Sequence, residues 1–373
     1  MHIGIDIKTL KNRTSGIQVY LRNMLDALQA LDTVNDYTLY EQTPSDYRIT
    51  NPRWKKRLLP SRLPGTVWLQ LHVAPRLCRD GITLFWGPEQ MCPLIKPSSV
   101  KYATTIHDFT FRHFPKTVRF TNRLVLGLTS RRICTVSDLL LAVSDRIRQE
   151  TRDYLEHIRN SETVVETVPN AAPQWRIPEG YRAENRGDAL LYIGNIEPRK
   201  NLMRLIDALE LLRNRGHTPQ LVIVGGLSWK SAAFMKKMAT TPVKEQIRLC
   251  GYLPTDALQH ELLTCKALVF PSLYEGFGIP VLEALSLDCM VLTSKGTAME
   301  QIAGTCALYF DPYSPDDIAD CIESMYLPSF SRTPYLANRE SVLERYTWRA
   351  SAQRLLAVFG NLFGCENPAA TKY

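Results

Sequence analysis

No uninterrupted apolar run approaches the ~20 residues that a membrane-spanning helix needs. The first ten residues, "MHIGIDIKTL", lack a basic stretch followed by a long apolar core. No secretory leader is therefore expected, and a cytoplasmic location follows. There is no CxxC pair, so zinc-finger and thioredoxin-type chemistry are excluded. The nine cysteines (Cys78, Cys92, Cys134, Cys250, Cys265, Cys289, Cys306, Cys321 and Cys365) are scattered, and several sit inside apolar runs. They read as buried reduced thiols rather than a disulfide framework. The GxGxxG dinucleotide fingerprint, RNA-recognition motifs and low-complexity tracts are missing too, so nucleic acid is not an expected partner.

What is present is an ordinary globular composition on a long chain. The 373 residues are 45% hydrophobic and 22% charged. That length is about twice one typical domain. Net charge is +8, which favours an acidic partner such as a nucleotide, pyrophosphate or an anionic membrane face. Short apolar runs alternate with helical periodicity almost throughout. In the first half the strand candidates are His2–Ile7, Tyr37–Tyr40, Ile82–Trp86, Tyr102–Ile106, Leu139–Val143 and Thr163–Val168. In the second half they are Ala189–Ile193, Leu221–Val224, Ile247–Leu249, Ala267–Pro271, Met290–Thr293 and Ala307–Phe310. Continuous apolar strands suit parallel sheets covered on both faces. Two consecutive α/β domains follow. "PNAAPQWRIPEGYRAENRGD", Pro169–Asp188, has no periodicity and reads as the linker. The expected layout is residues 1–170, a linker at 171–188, and a second domain at 189–345. A Thr-capped amphipathic helix within 346–363 follows.

Residues 51–79 contain seven Arg and Lys residues, Trp54, Trp68 and several leucines, but no acid. Two readings stand: a solvated loop and helix face, or an interfacial segment on anionic lipid.

Four stretches carry chemistry. In "GIDIKTLKNRTSGIQVY" a strand leads through a polar loop to Gly16 at a helix start, where backbone N–H groups can bind an anion. In "TTIHDF" His107 ends a buried strand, placed to hydrogen-bond a substrate oxygen or to help stabilise charge. In "YIGNIEPRKN" the loop after a strand bears Arg199 and Lys200, a bidentate fork and a mobile point charge suited to pyrophosphate. Asn201 is the cap candidate for the helix that follows. In "PSLYEGFGIPVLEA" Glu275 ends a strand, Gly276 and Gly278 allow close backbone approach, and Pro280 opens a helix. Glu283 is expected in the first turn of that helix. Two carboxylates so placed can each accept from vicinal hydroxyls. They also suit a glycosidase pair, a reading that the Arg199–Lys200 loop disfavours.

"EGFGIPVLEA" resembles the E-x7-E segment of retaining glycosyltransferases of the GT-B fold, family 4. "TTIHDFTFRHFP", "LAVSDRIRQET", "VPNAAP", "YIGNIEPRKN", "LVIVGG", "GYLPTDALQHELL" and "YTWRASAQRLL" follow in that family's order, so the resemblance runs nearly end to end. It implies an α/β architecture of two Rossmann-like domains whose parallel sheets face across a cleft. The last helix would return to the first domain. It further implies a nucleotide-sugar donor, retained anomeric configuration, and no metal or other cofactor. By motif, Glu275 would contact the donor sugar and Glu283 the ribose. Arg199 and Lys200 would hold the diphosphate, and Gly16 would approach it. His107 would lie near the sugar. Gly276, Phe277 and Gly278 would border the sugar or phosphate. Tyr252 and Leu253 of "GYLP" would lie near the base. Asn195 stands where many members carry Arg, which leaves Arg199 as the guanidinium. "ALSLDCMV" replaces the frequent "AMACGTPV".

"EPRKN" and "IHDFTFRHFP" resemble the mannosyltransferase-like branch that builds bacterial O-antigen. This implies GDP-mannose, or another GDP-sugar, as donor. It implies a polyprenyl-diphosphate-linked glycan as acceptor, at the inner face of the plasma membrane. UDP-glucose and UDP-N-acetylglucosamine are alternative donors. A sugar-nucleotide epimerase and a non-catalytic lipid-surface module are the readings from other classes.

Overall fold

The computed structural model describes residues 1–11, 16–117, 120–160, 162–182, 186–228 and 230–364. Cys365 and residues 183–185 of the expected linker lie outside them. The chain divides into two compact units. The first comprises Met1–Phe109, Thr121–Ala171 and Tyr346–Tyr373, and the second Thr110–Phe120 and Ala172–Arg345.

The first unit is built on β1 (His2–Asp6), β2 (Asp36–Glu41), β3 (Trp54–Leu58), β4 (Leu84–Gly87), β5 (Lys101–Ile106), β6 (Leu139–Ala142) and β7 (Val164–Thr167). Among the described residues these form a seven-stranded parallel sheet, ordered β3-β2-β1-β4-β5-β6-β7. The chain winds outward from β1 in one direction and from β4 in the other. The order therefore reverses between β1 and β4, the position at which open parallel sheets bind ligands.

Helix Gly16–Leu31 buries Tyr20, Leu21, Met24, Leu25 and Leu28, one stripe at three- and four-residue spacing. Helix Trp348–Asn361 shares that core through Trp348, Ala352, Leu355 and Phe359. Its start is fixed by Thr347, whose hydroxyl accepts from the Ala350 N–H at 3.1 Å.

The second unit holds β8 (Leu190–Ile193), β9 (Leu221–Val224), β10 (Ile247–Gly251), β11 (Ala267–Phe270), β12 (Met290–Ser294) and β13 (Leu308–Phe310). Its parallel order is β10-β9-β8-β11-β12-β13, which reverses between β8 and β11. The described residues of the aperiodic stretch between Val168 and β8 form no helix or strand, but its end is pinned to this unit. The Tyr181 hydroxyl donates to Leu263 O. Arg186 donates to the carbonyls of Leu262, Cys265 and Leu287.

Segment 51–79 has structure that neither sequence reading anticipated. It opens with the edge strand β3 and continues through helical turns from Gly65 to Arg76. Both tryptophans are core residues. Trp54 stacks on Tyr37 with ring centroids 4.1 Å apart, and the buried Trp68 indole donates to Leu59 O at 2.8 Å. They are therefore not membrane anchors. Arg57 pairs with Asp80, and Arg53 with Asp36. Lys55, Arg62, Arg76 and Arg79 remain exposed, as do Leu63, Val67 and Leu71. Among the described residues no helix is long and apolar enough to cross a membrane. The eight described cysteines are free thiols. Cys78 is exposed, and Cys250 and Cys321 are half-buried, so burial is not general.

Candidate active site

Strand β8 ends at Ile193, and strand β11 ends at Phe270. The loops that follow meet at the switch point of the second unit. Arg199 and Lys200 close a single helical turn, Pro198–Lys200. Asn201 follows with φ 64°, a left-handed conformation that asparagine tolerates better than most residues. Asn201 occupies the cap position of helix Leu202–Asn214, but its side chain does not cap it. Its amide donates instead to Pro312 O at 2.7 Å and so ties the loop down.

Glu275 receives both cations on one oxygen. Lys200 Nζ lies 2.5 Å from Glu275 Oε1, and Arg199 Nη1 lies 3.0 Å from the same atom. Arg199 also reaches Glu197 Oε1 at 2.9 Å and donates to Tyr274 O at 2.9 Å. The backbone completes the clip, with Leu273 N–H donating to Arg199 O at 2.8 Å. Burial would raise the Glu275 pKa, but Arg199 and Lys200 outweigh it and hold the carboxyl at about 2. Glu275 is therefore an anion at any working pH. Burial pushes the Lys200 pKa below the usual lysine range, against the opposing pull of Glu275. The four charges sum to zero. An incoming dianion would meet two cations already fixed in place and needing little reorganisation.

Gly278, with φ 109°, ends the turn, and a Cβ there would lie 2.7 Å from Met299 Cγ. Only glycine fits that combination of backbone and space. Gly276 and the buried Phe277 form the turn before it. Helix Ile279–Ser286 follows, with Pro280 at its second position. Glu283 is the fifth residue of this helix and lies in the second turn. The first-turn placement expected from sequence is thus corrected: the helix begins at Ile279, one residue before the proline. Glu283 is half-buried with no ion-pair partner among the described residues, and burial raises its pKa to about 7.

The ends of β8, β9 and β10 converge beside this cluster. The exposed Tyr252 donates its hydroxyl to Asn195 Oδ1 at 2.7 Å, and its ring packs where a Gly226 side chain would lie. Leu253, the next residue, is half-buried. The structure thus brings Arg199, Lys200 and Glu275 into one cluster, and Asn195 and Tyr252 into one contact. Glu197, two residues before Arg199 in the same loop and not singled out from the sequence, joins the cluster through Arg199.

Gly16 and His107 belong to the first unit. Gly16 is the exposed first residue of its helix, with open space where a side chain would be. His107 lies 2.7 Å through Nε2 from Pro88 O. A carbonyl only accepts, so Nε2 carries the proton and Nδ1 offers a lone pair. Burial lowers the His107 pKa. The geometry suits a neutral acceptor from a hydroxyl rather than a stabilising cation. Among the described residues no group of three or more His, Cys, Asp or Glu side chains could hold a metal ion.

Residues 173–332 match the family described as glycosyl transferases group 1. O-antigen chain mannosyltransferase B of Escherichia coli is 35% identical over 131 residues, covering 35% of this chain and 34% of that protein. The match thus spans about a third of that relative's length. Sucrose-phosphate synthase from Thermosynechococcus elongatus superposes with a TM-score of 0.74 at 17% identity, covering 97% of this chain and 99% of that one. The Anabaena protein HepE, solved in complex with UDP-glucose, superposes with a TM-score of 0.71 at 12% identity over 97% of this chain and 100% of that one. The fold is therefore that of GT-B glycosyltransferases, and the unit carrying Arg199, Lys200 and Glu275 is the one that matches glycosyl transferases group 1.

Proposed function

We propose that the protein is a retaining hexosyltransferase, moving mannose from GDP-mannose onto a polyprenyl-diphosphate-linked glycan in bacterial surface-polysaccharide synthesis. The observation that carries this reading is the convergence of Arg199 and Lys200 on Glu275 at the switch point of the second unit. A diphosphate oxygen can take over one contact from each cation, and the cations then neutralise the charge that grows as the nucleoside diphosphate leaves. Glu275, freed from part of that pairing, is an anion beside the sugar. It can accept from a hydroxyl and support developing positive charge at the anomeric carbon. Glu283 would accept from the ribose hydroxyls in its ionised form. Gly276, Phe277 and Gly278 would offer backbone to the sugar or phosphate, and Tyr252 and Leu253 would border the base. Arg199 and Lys200 supply the cationic charge, so turnover is expected to survive metal chelation.

The mannosyl assignment rests on the O-antigen mannosyltransferase relative. The UDP-glucose complex of HepE favours another donor with the same chemistry. A peripheral place on the inner membrane face rests on the exposed Lys55, Arg62, Arg76 and Arg79 beside Leu63, Val67 and Leu71.

The split between Glu275 at about 2 and Glu283 at about 7 also suits a glycosidase acid and nucleophile. Two cations on one Glu275 oxygen make it a poor nucleophile, which disfavours hydrolysis. The decisive experiment incubates the protein with GDP-mannose, UDP-glucose and UDP-N-acetylglucosamine and follows nucleotide release, with and without EDTA. Release from GDP-mannose is expected. Folded protein that releases nucleotide from none of the three overturns the reading.

A further inference from the structure

The first unit has its own switch point, between β1 and β4, and a second charged cluster occupies it. Asp6 is the last residue of β1 and is fully buried. Lys8 follows it, and Glu89 lies two residues beyond the end of β4. Lys8 bridges the two carboxylates. Its ammonium pairs with Asp6 Oδ2 and lies 3.0 Å from Glu89 Oε2, while its backbone N–H donates to Asp6 Oδ1 at 3.1 Å. The cluster therefore carries one negative charge in excess. Asp6 feels it: burial, with Glu89 adding to it against the pull of Lys8, raises its pKa to about 6.

Three features distinguish this cluster from a plain internal ion pair. Glu89 Oε1 is shut off from water and has no hydrogen-bond partner among the described residues. An unused carboxylate oxygen so placed has lost its hydration with no hydrogen bond in return. The turn that holds Glu89 is also over-determined. A side chain on Gly87 would lie 1.9 Å from Met91 O. Gln90 sits at φ 57°, uncommon for a non-glycine residue, and its amide donates to Asp108 O at 3.2 Å. Such strain tends to persist where a turn serves a site. Finally, the neighbouring Pro88 carbonyl fixes His107 with Nδ1 available as an acceptor. One turn thus sets two acceptors, at the place where open parallel sheets bind ligands.

The sign and type of these groups select the ligand. Excess negative charge repels phosphates and carboxylates. Two acceptors call for donors, and a neutral ligand rich in hydroxyls supplies them. The Glu89 side chain keeps 10% of its surface exposed. A turn about its terminal torsion, which is broad, exchanges its two oxygens, so that either can face Lys8 and the other accept. Lys8 is held in turn by Gly65, where any side chain would meet its stem at 2.9 Å.

We propose that Asp6, Lys8 and Glu89 form a hydroxyl-recognition site for a sugar residue of the glycan acceptor, with Glu89 the group that accepts from a sugar hydroxyl. The choice of a glycan rests on the hexosyltransferase reading, but the test does not. Saturation-transfer NMR on the full chain, without nucleotide, uses mannose-, glucose- and N-acetylglucosamine-terminated trisaccharides as probes. At least one is expected to bind in the millimolar range. Glu89→Gln should weaken that binding about tenfold or more, while GDP affinity by calorimetry stays within twofold. Gly65→Val, which displaces Lys8, should weaken it as well with the fold kept. No trisaccharide binding, or equal binding by wild type and Glu89→Gln, overturns the proposal. Glycan binding lost in Glu89→Gln without any nucleotide release would leave this site standing and overturn the transferase. Nucleotide release with an unchanged acceptor KM in Glu89→Gln would do the reverse.

Discussion

The ammonium of Lys200 stands 2.5 Å from Glu275 Oε1, in a site where both residues are at least nine-tenths buried. Neither charge is tolerable there without the other, and Arg199 shares the same oxygen. Removing one partner of a buried pair typically costs about 3–5 kcal/mol. Glu275→Gln is therefore expected to lower stability by roughly 3 kcal/mol as well as to abolish turnover. Urea unfolding and nucleotide-release assays on the same preparation check both. The double variant Glu275→Gln with Lys200→Met should recover most of the stability and none of the activity. Recovery of activity would remove Glu275 from the mechanism.

Arg199 makes three directional contacts, to Glu197, Glu275 and Tyr274 O. A lysine reaches one acceptor at a time and lacks the planar fork. Arg199→Lys should raise the Kd for the nucleoside diphosphate about tenfold, with a smaller effect on the fold than Arg199→Ala. Calorimetry with GDP and with UDP measures this directly. An unchanged Kd would take the guanidinium out of diphosphate binding.

Much of this arrangement is legible from strand ends. The apolar runs located twelve of the strands, because fully covered parallel strands leave little else for such runs to be. β3 escaped, since "WKKRL" carries three cations. An edge strand pairs on one side only and accepts charges that an inner strand rejects. The same segment misled the reading of Trp54 and Trp68, because side-chain burial depends on the sheet's curl and not on local composition. Residue types in the loops named Arg199, Lys200 and Glu275, but not that the cations share one oxygen. Asp6 and Glu89 are 83 positions apart in the chain. Their meeting follows only from β1 lying beside β4, which no local pattern encodes.

Glu283 gives the protein a pH signature. Burial alone raises its pKa from 4.5 to about 7. The unfolded chain ionises this carboxyl near its ordinary value of 4.5, while the folded one keeps its proton until about 7. Its contribution to stability is thus full below 4.5 and declines as pH rises through that window, by about 3 kcal/mol in all. Donor affinity should move the other way, since the ionised form accepts from the ribose. Glu283→Gln is expected to flatten the stability profile between pH 5 and 7.5 and to remove the rise in donor affinity over the same range. Paired denaturation and binding titrations at four pH values decide it. A wild-type profile that is already flat would place the titration outside this window.

Membrane association, if it uses segment 51–79, has to act without the tryptophans, since Trp54 and Trp68 are buried. What faces outward is cationic: Lys55, Arg62, Arg76 and Arg79, with Leu63, Val67 and Leu71 exposed between them. Each cation near an anionic surface contributes about 1 kcal/mol, within a Debye length of about 8 Å at physiological salt. Binding to vesicles with 30% phosphatidylglycerol should therefore fall steeply between 50 and 300 mM salt. Arg62→Glu with Lys55→Glu should lower it about 30-fold or more. Trp68→Ala should instead destabilise the fold by about 3–5 kcal/mol, as for a core tryptophan. Sedimentation with such vesicles separates the two effects, because a salt-independent association lost with Trp68 would return the segment to an insertion mechanism.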